Sequence, residues 1–404
     1  MRLSSSTLLK GFALGLAIAL TLSSGLSRAV DTLPLTRLSC AEGQQAAALI
    51  GQDIRLFDSP SEAGANEGFT GDRSSLLTAI DNSLAYLRTP GSVTAYRNYA
   101  VPGITHSRVQ RSLVRFRTLV HQSDSAQALQ QAVAAEFDLY QAVGQDEAGT
   151  VAFTGYFEPT YAASRTPTAE YRYPIYQSPP DLDRWPEPHP TRLALEGADG
   201  LQAAQGPLNG LELAWLPDRL EAFLIQVQGS ARLELDNGST LSVGYDGRTN
   251  YPYSSIGRAL IDDDIIAEDA LSLPVLIDYF EQNPAALDRY LPRNNRFVFF
   301  RETNGAAATG SLGFPVTAGR SIATDKSVMP PGALALITLP LPQKNAAGAL
   351  VKSPTSRFVL DQDTGGAIKG AGRVDLFVGT GTDAGEVAGL INDSGKLYYL
   401  LLKE

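Results

Sequence analysis

Phe358-Val-Leu-Asp-Gln-Asp363-Thr-Gly-Gly-Ala-Ile-Lys369-Gly370, followed closely by Arg373-Val-Asp375-Leu-Phe-Val378, is the stretch on which the fold turns. An aspartate stands inside an apolar, strand-like run, twelve residues after another aspartate that opens a glycine-rich turn. A carboxylate among Val374, Leu376, Phe377 and Val378 is costly to desolvate unless it is paired or protonated. Burial also lifts a carboxyl pKa toward the range where a general acid works. Strand alternation leaves a second reading open. It puts Arg373, Asp375 and Phe377 on one face, where Asp375 can be a solvent-facing residue paired with Arg373.

Two further acids bear on that choice. Asp363-Thr-Gly365 is the tripeptide of aspartic proteases, whose chemistry needs two carboxylates sharing a proton. A single copy restricts that reading to a homodimeric type. Asp325 follows Gly319-Arg-Ser-Ile-Ala-Thr and precedes Pro330-Pro-Gly332. Asp325, Asp363 and Asp375, each on or beside a strand with glycines nearby, can converge on one rim of a small barrel. Short acidic side chains also bond turn amides, a role expected for at least one of Asp325 and Asp363.

The surrounding chain is mainly β with flanking helices. Its 404 residues, 44% hydrophobic and 19% charged, suffice for two domains. Thirty-seven glycines and twenty-four prolines punctuate short apolar runs, the texture of a β-rich protein. Three helices are expected early. Asp72 precedes Leu76, Ile80, Leu84 and Leu87, and Ser107 precedes Val109, Leu113 and Phe116. Asp124 caps a third that carries Leu129, Val133, Phe137 and Tyr140. Strands are expected at Val151–Phe157 and Ala222–Gln228, with a hairpin about Asp236-Asn-Gly238. Tyr173–Pro190, rich in proline, reads as an extended loop. Helical pattern returns over Ser255–Leu291, broken at Pro274 and Pro284, before strands resume.

Residues 1–29 read as a signal peptide: Arg2 and Lys10, an apolar Gly11–Leu22, and small residues at Ser27-Arg-Ala29. A flexible leader is expected over 30–70. Loss of Arg2, Lys10 and Arg28 takes the formal charge from −10 to −13, which argues against nucleic acid as a partner. Cys40, the only cysteine, follows Arg37-Leu-Ser39, a poor lipobox, and has no partner for an internal disulfide. His106, His121 and His189 lack the spacing of a metal site. No nucleophile elbow or cysteine–histidine set is present, and Gly379–Gly385 reads as a turn rather than a phosphate loop.

Several blocks taken in order resemble one family. These are Thr154-Gly-Tyr-Phe-Glu-Pro159, Val227-Gln-Gly-Ser230, Gly244-Tyr-Asp-Gly247 with Asn250, Ser255-Ile-Gly-Arg258, Phe297-Val-Phe-Phe300, Leu312-Gly with Pro315, Thr317-Ala-Gly-Arg320 and Asp363–Gly370. Together they are similar to the membrane-bound lytic murein transglycosylase A family. The section 311–404 resembles the domain named for its three aspartates. The resemblance implies a discontinuous double-psi β-barrel over 71–159 and 251–404, with its helices. A second, mostly β domain is inserted at 160–250, and a sugar cleft lies between the two.

By resemblance, the reaction is non-hydrolytic cleavage of the β-1,4 bond between N-acetylmuramic acid and N-acetylglucosamine in peptidoglycan, giving 1,6-anhydromuramyl ends. Asp375 matches the single catalytic acid–base and Asp363 its supporting acid. Thr154, Tyr156, Gln228, Tyr245, Asp325 and Lys369 are candidates for holding the glycan strand, since aromatic faces stack on sugars and polar groups bond their oxygens. The family needs no cofactor or metal. The resemblance places the protein in the periplasm of a Gram-negative-type envelope, with outer-membrane association and envelope protein complexes as further expectations. Two other readings use the same cleft: a water-using peptidoglycan hydrolase with Asp363 or Asp325 as second carboxylate, and a non-catalytic cell-wall-binding barrel.

Overall fold

The computed structural model describes residues 33–39, 53–57, 72–345 and 347–404. The signal-peptide segment and Cys40 lie outside the described residues.

Strands β1 (Leu35–Arg37), β2 (Phe137–Ala142) and β3 (Val151–Glu158) are followed by β4 (Thr160–Ala163), β5 (Tyr173–Tyr176) and β6 (Glu212–Leu216). Next come β7 (Ser230–Leu235), β8 (Thr240–Arg248), β9 (Val298–Glu302) and β10 (Ser321–Ala323). Last are β11 (Leu334–Lys344), β12 (Leu350–Asp363), β13 (Arg373–Thr380) and β14 (Asn392–Leu402). Eight of them form one sheet in the order β1-β2-β14-β11-β12-β10-β13-β3, and β14 also pairs with β3. That last pairing closes six strands into the double-psi barrel. Two of its pairings, β10 with β12 and β13 with β3, are parallel, and the rest are antiparallel. Closure removes the open edges on the site side, so the strands that carry the acids are fixed on both flanks.

Helices α1 (Arg73–Tyr86), α2 (Pro90–Tyr96), α3 (His106–Gln122) and α4 (Ala126–Glu136) precede the barrel. Helix α1 buries Leu76, Ala79, Ile80 and Leu84, and Asp72 caps it by accepting from Ser75 N at 2.8 Å. Gln362 anchors it to β12 by donating to Ala79 O and Ser83 Oγ. The caps of α3 and α4 are Thr105 and Ser125 rather than Ser107 and Asp124. Phe137 and Tyr140, expected to extend the third helix, lie in β2. There β14 offers an edge, and Tyr140 pairs with Tyr399. The expected leader is likewise partly docked. Leu35–Arg37 pairs with β2, and Asp53 is buried against Arg320, accepting from Nη1 at 2.6 Å.

A second sheet, β4-β7-β8-β9, and the β5-β6 pair build the other domain. The Asp236-Asn-Gly238 hairpin forms as expected, with Gly238 at φ 83°. Three differences stand out. Ala222–Gln228 is not a strand but most of a helix, Arg219–Gln228, capped by Asp218 and stopped by left-handed Gly229. Pro274 opens the helix Leu273–Gln282 instead of breaking one, because Ser272 caps it and proline needs no donor in the first turn. The expected boundary at 250 falls inside the second sheet: β9 pairs with β8. Val298 and Phe300 enter that sheet's core, while Leu260, Leu276 and Phe280 pack on Leu220 and Phe223.

The chain leaves the barrel at Glu158, which is buried. Its Oε2 accepts from Arg232 Nε of β7 at 2.9 Å and from Thr380 Oγ1 of β13 at 2.8 Å. One carboxylate thus ties the ends of two barrel strands to the inserted domain.

Candidate active site

Asp375 sits at the centre of β13, with Thr154 of β3 and Ala323 of β10 as its Cα partners on either side. Valine, leucine and phenylalanine neighbours keep this strand in the barrel wall, and Val374, Leu376 and Phe377 are buried. Enclosure raises the Asp375 carboxyl to about 6; the neighbouring Thr154 side chain and the Arg373 charge oppose the rise, and the Asp363 charge adds to it. Its Oδ1 is buried and has no hydrogen-bond partner among the described residues. Arg373 does not form an ion pair with it, so the solvent-facing, paired reading is not what the strand adopts.

Asp363 ends β12 and is fully used. Oδ1 accepts from Ser311 N and Thr364 N, each at 2.8 Å, and Oδ2 accepts from Tyr156 Oη at 2.8 Å. Burial still pushes its carboxyl above the ordinary range. Tyr156 also packs its ring on Phe377, centroids 5.2 Å apart, so this tyrosine supports the acids rather than presenting a free face. Asp325 behaves as the turn-binding alternative anticipated. Burial raises it, but donation from Ser327 Oγ, Gly370 N and Ser327 N, with the Lys369 charge, outweighs that and holds it below the usual range. Asp325 thereby locks the loop that leads into β13.

The remaining candidates come from the second domain or the loop. Gln228, at the end of its helix, accepts from Phe157 N at 3.2 Å beside Tyr156. Tyr245 on β8 is 46% exposed, which leaves its face available. Lys369 is exposed in the glycine loop. Sequence reasoning missed two groups. Asp361, wholly buried in the barrel, accepts from Thr324 Oγ1 at 2.8 Å and Tyr399 Oη at 2.6 Å and is ion-paired with Lys326. Lys326 also donates to Asp363 O. Arg296, just before β9, reaches the glycine loop: a Cβ on Gly366 would lie 1.9 Å from its Nη1. Among the described residues, no three His, Cys, Asp or Glu side chains are grouped to hold a metal ion.

A closed double-psi barrel with an enclosed aspartate in its wall, and a second, mostly β domain inserted between its strands, is the architecture of a polysaccharide-cleaving enzyme. Residues 152–301 match the MltA specific insert domain and 320–401 match the 3D domain. The chain is 32% identical over 266 residues to membrane-bound lytic murein transglycosylase A of Escherichia coli K12, covering 65% of this chain and 69% of that one. A crystal structure of a membrane-bound lytic murein transglycosylase from Agrobacterium tumefaciens superposes with TM-score 0.66 at 27% identity, covering 87% and 97% of the two chains. Escherichia coli MltA with bound chitohexaose superposes with TM-score 0.62 at 28% identity, covering 83% and 90%. The chain belongs to the membrane-bound lytic murein transglycosylase A family.

Proposed function

We propose that this protein is a lytic transglycosylase that cuts peptidoglycan strands at the muramyl C1–O4 bond, with Asp375 as the only proton carrier. Protonated Asp375 gives its proton to the departing O4 of N-acetylglucosamine as the C1–O4 bond breaks. The muramyl C6 hydroxyl closes onto C1, and its proton passes back to Asp375. The site is thereby reset, and no water is consumed. An internal nucleophile replaces the second carboxylate of hydrolytic glycosidases. The observation that carries this reading is the enclosed Asp375 carboxyl, raised to about 6 by burial. The hydrolytic reading fares worse, because both oxygens of Asp363 and of Asp325 are occupied by donors of their own loops.

In this reading Thr154 and Asp363 act on Asp375, the exposed Tyr245 offers a stacking face, and Gln228 and Lys369 are offered as polar contacts to the glycan. The 1–29 signal and the relatives' membrane-bound naming support work in the cell envelope. Digestion of purified sacculi should release muropeptides lighter by one water than hydrolytic products. Reducible, fully hydrated ends would refute the lyase.

Asp363→Asn removes a like charge that helps keep Asp375 protonated. The alkaline limb of the pH–rate profile is then expected to move to lower pH, with activity at pH 7 down roughly tenfold, the order of effect of a modest pKa change in a general acid. An unmoved limb would separate Asp363 from the acid.

A further inference from the structure

Asp375 belongs to a row of side chains that runs across the barrel wall. Its Cα partner on β3 is Thr154, and the Cα partner of Thr154 on β14 is Asn392. Residues directly opposite on neighbouring strands point to the same face. Val374, Leu376 and Phe153, each one position away, take the other face and are buried in the barrel core. On the far side of Asp375 the row continues through Ala323 of β10 to Asp363 of β12.

The three members on the β14 side each carry a buried polar atom with no hydrogen-bond partner among the described residues: Asp375 Oδ1, Thr154 Oγ1 and Asn392 Nδ2. Such atoms are rare in folded interiors and each costs stability. Three in register call for a state in which they are satisfied. Their types are complementary: an amide N–H donates, a hydroxyl accepts and donates, and an ionised carboxylate accepts. All three atoms are closed to solvent, so each faces its neighbours in the wall rather than a sugar in the open cleft. Strands lie about 4.8 Å apart, which separates Asn392 from Asp375 by about 9.6 Å, too far to touch directly. Thr154 stands between them. Its side chain already opposes the rise of the Asp375 carboxyl, although no well-aligned bond joins the two.

Resting on the glycan-cleaving reading, we propose that Asn392 is a positioning residue for the reaction, acting on Asp375 through Thr154. When Asp375 has given up its proton, Asn392 Nδ2 donates to Thr154 Oγ1, and the Thr154 hydroxyl donates to Asp375 Oδ1. The amide and the hydroxyl keep their own protons, so nothing is transferred along the row. The row holds the carboxylate through the half-cycle in which it is charged and leaves Oδ2 to serve the sugar. Enclosure alone makes that charged state costly, and an acid that cannot bear its charge cannot release its proton. Asp363 and Asn392 therefore act in opposite senses: the charge of one keeps the proton on Asp375, and the other lets it go.

The test compares full-length wild type with Asn392→Leu, Asn392→Ala, Thr154→Val, Thr154→Ser and the combination of Asn392→Leu with Thr154→Val. Loss of the amide withdraws support from the ionised carboxyl, so its pKa rises. The Asp375 midpoint, read by carbon-13 NMR, and the alkaline limb of the pH–rate profile should both move up by roughly 0.5–1 pH unit. On soluble glycan strands kcat should fall about tenfold, with KM changed less than about twofold. Thr154→Val should move the midpoint at least as far, and Thr154→Ser should recover most of that change. Asn392→Leu should add little to Thr154→Val, because the intermediary is already gone. The charged and titratable groups that face Asp375 are Arg373 of its own strand, Asp363 of β12 and Tyr156 of β3, and no variant alters them. A raised KM with an unmoved midpoint would make Asn392 a sugar contact, and lost stability with an unmoved midpoint would make it structural. Either result, or full additivity of the two substitutions, overturns the proposal. The midpoint needs no turnover to be read, so a wild type that makes no anhydro ends counts against the parent reading and leaves the row testable by itself.

Discussion

Asp375→Asn is expected to abolish release of anhydro-ended fragments from sacculi, with turnover down by at least roughly 10³-fold. One residue serves as both acid and base, and each role typically contributes 10²–10⁴. The same substitution should make the protein more stable at neutral pH. A carboxyl whose folded pKa is raised to about 6 from the ordinary 3.8 contributes its full stability below the unfolded value. That contribution is lost as pH rises through the folded one. Asparagine cannot ionise, so it escapes the loss. The variant should gain roughly 1–3 kcal/mol over wild type at pH 8 and nothing at pH 3.5, measured by urea unfolding at both pH values. A variant that turns over normally, or that is less stable at pH 8, contradicts the assignment. Such a gain on losing activity is the trade-off expected where a site stores an unfavourable charge.

Lys326→Met carries the second large effect. It would leave Asp361 wholly buried, with Thr324 and Tyr399 as donors but without its cation. Breaking a buried pair from one side costs about 3–5 kcal/mol. Burial already raises the Asp361 pKa against the pull of Lys326, so removing the lysine raises it further. Asp361 can then take up a proton, and the penalty should be largest at pH 8 and shrink toward pH 5. Asp361→Asn combined with Lys326→Met should restore most of the loss, because no uncompensated charge remains. Chemical denaturation of the single and double variants across that range measures both effects. A single variant as stable as wild type at pH 8 would show that the pair is immaterial. Lys326 also holds the Asp363 carbonyl, so its loss should lower turnover even where the fold persists.

How much of this was legible in the sequence depended on the range of the contacts. The acids of the glycine-rich turn and of β13 stood out because polar residues in apolar strands are a local anomaly. The double-psi barrel was reached through ordered blocks, since two parallel pairings and a late closure by β14 leave no periodic trace. Ala222–Gln228 was misread because a short apolar run suits either period. The decisive signals were its ends, the Asp218 cap and left-handed Gly229. The 250 boundary failed for a similar reason: β9 returns to β8 only after some fifty residues of helix and loop, a non-local pairing. Arg296 was invisible because its importance lies in meeting a loop seventy positions away. Asp361 is hard to single out beside Asp363, although two aspartates two apart on a strand share a face; Lys326, Tyr399 and Thr324, all distant in sequence, together make the buried one tenable.

The most direct measurement is a titration of the Asp375 carboxyl itself, by carbon-13 NMR of aspartate-labelled protein with Asp375→Asn identifying the signal. The account predicts a midpoint near 6, set by enclosure within the barrel wall. A midpoint in the ordinary aspartate range, about 4, would mean that the acid is already ionised when the strand arrives, and would contradict it.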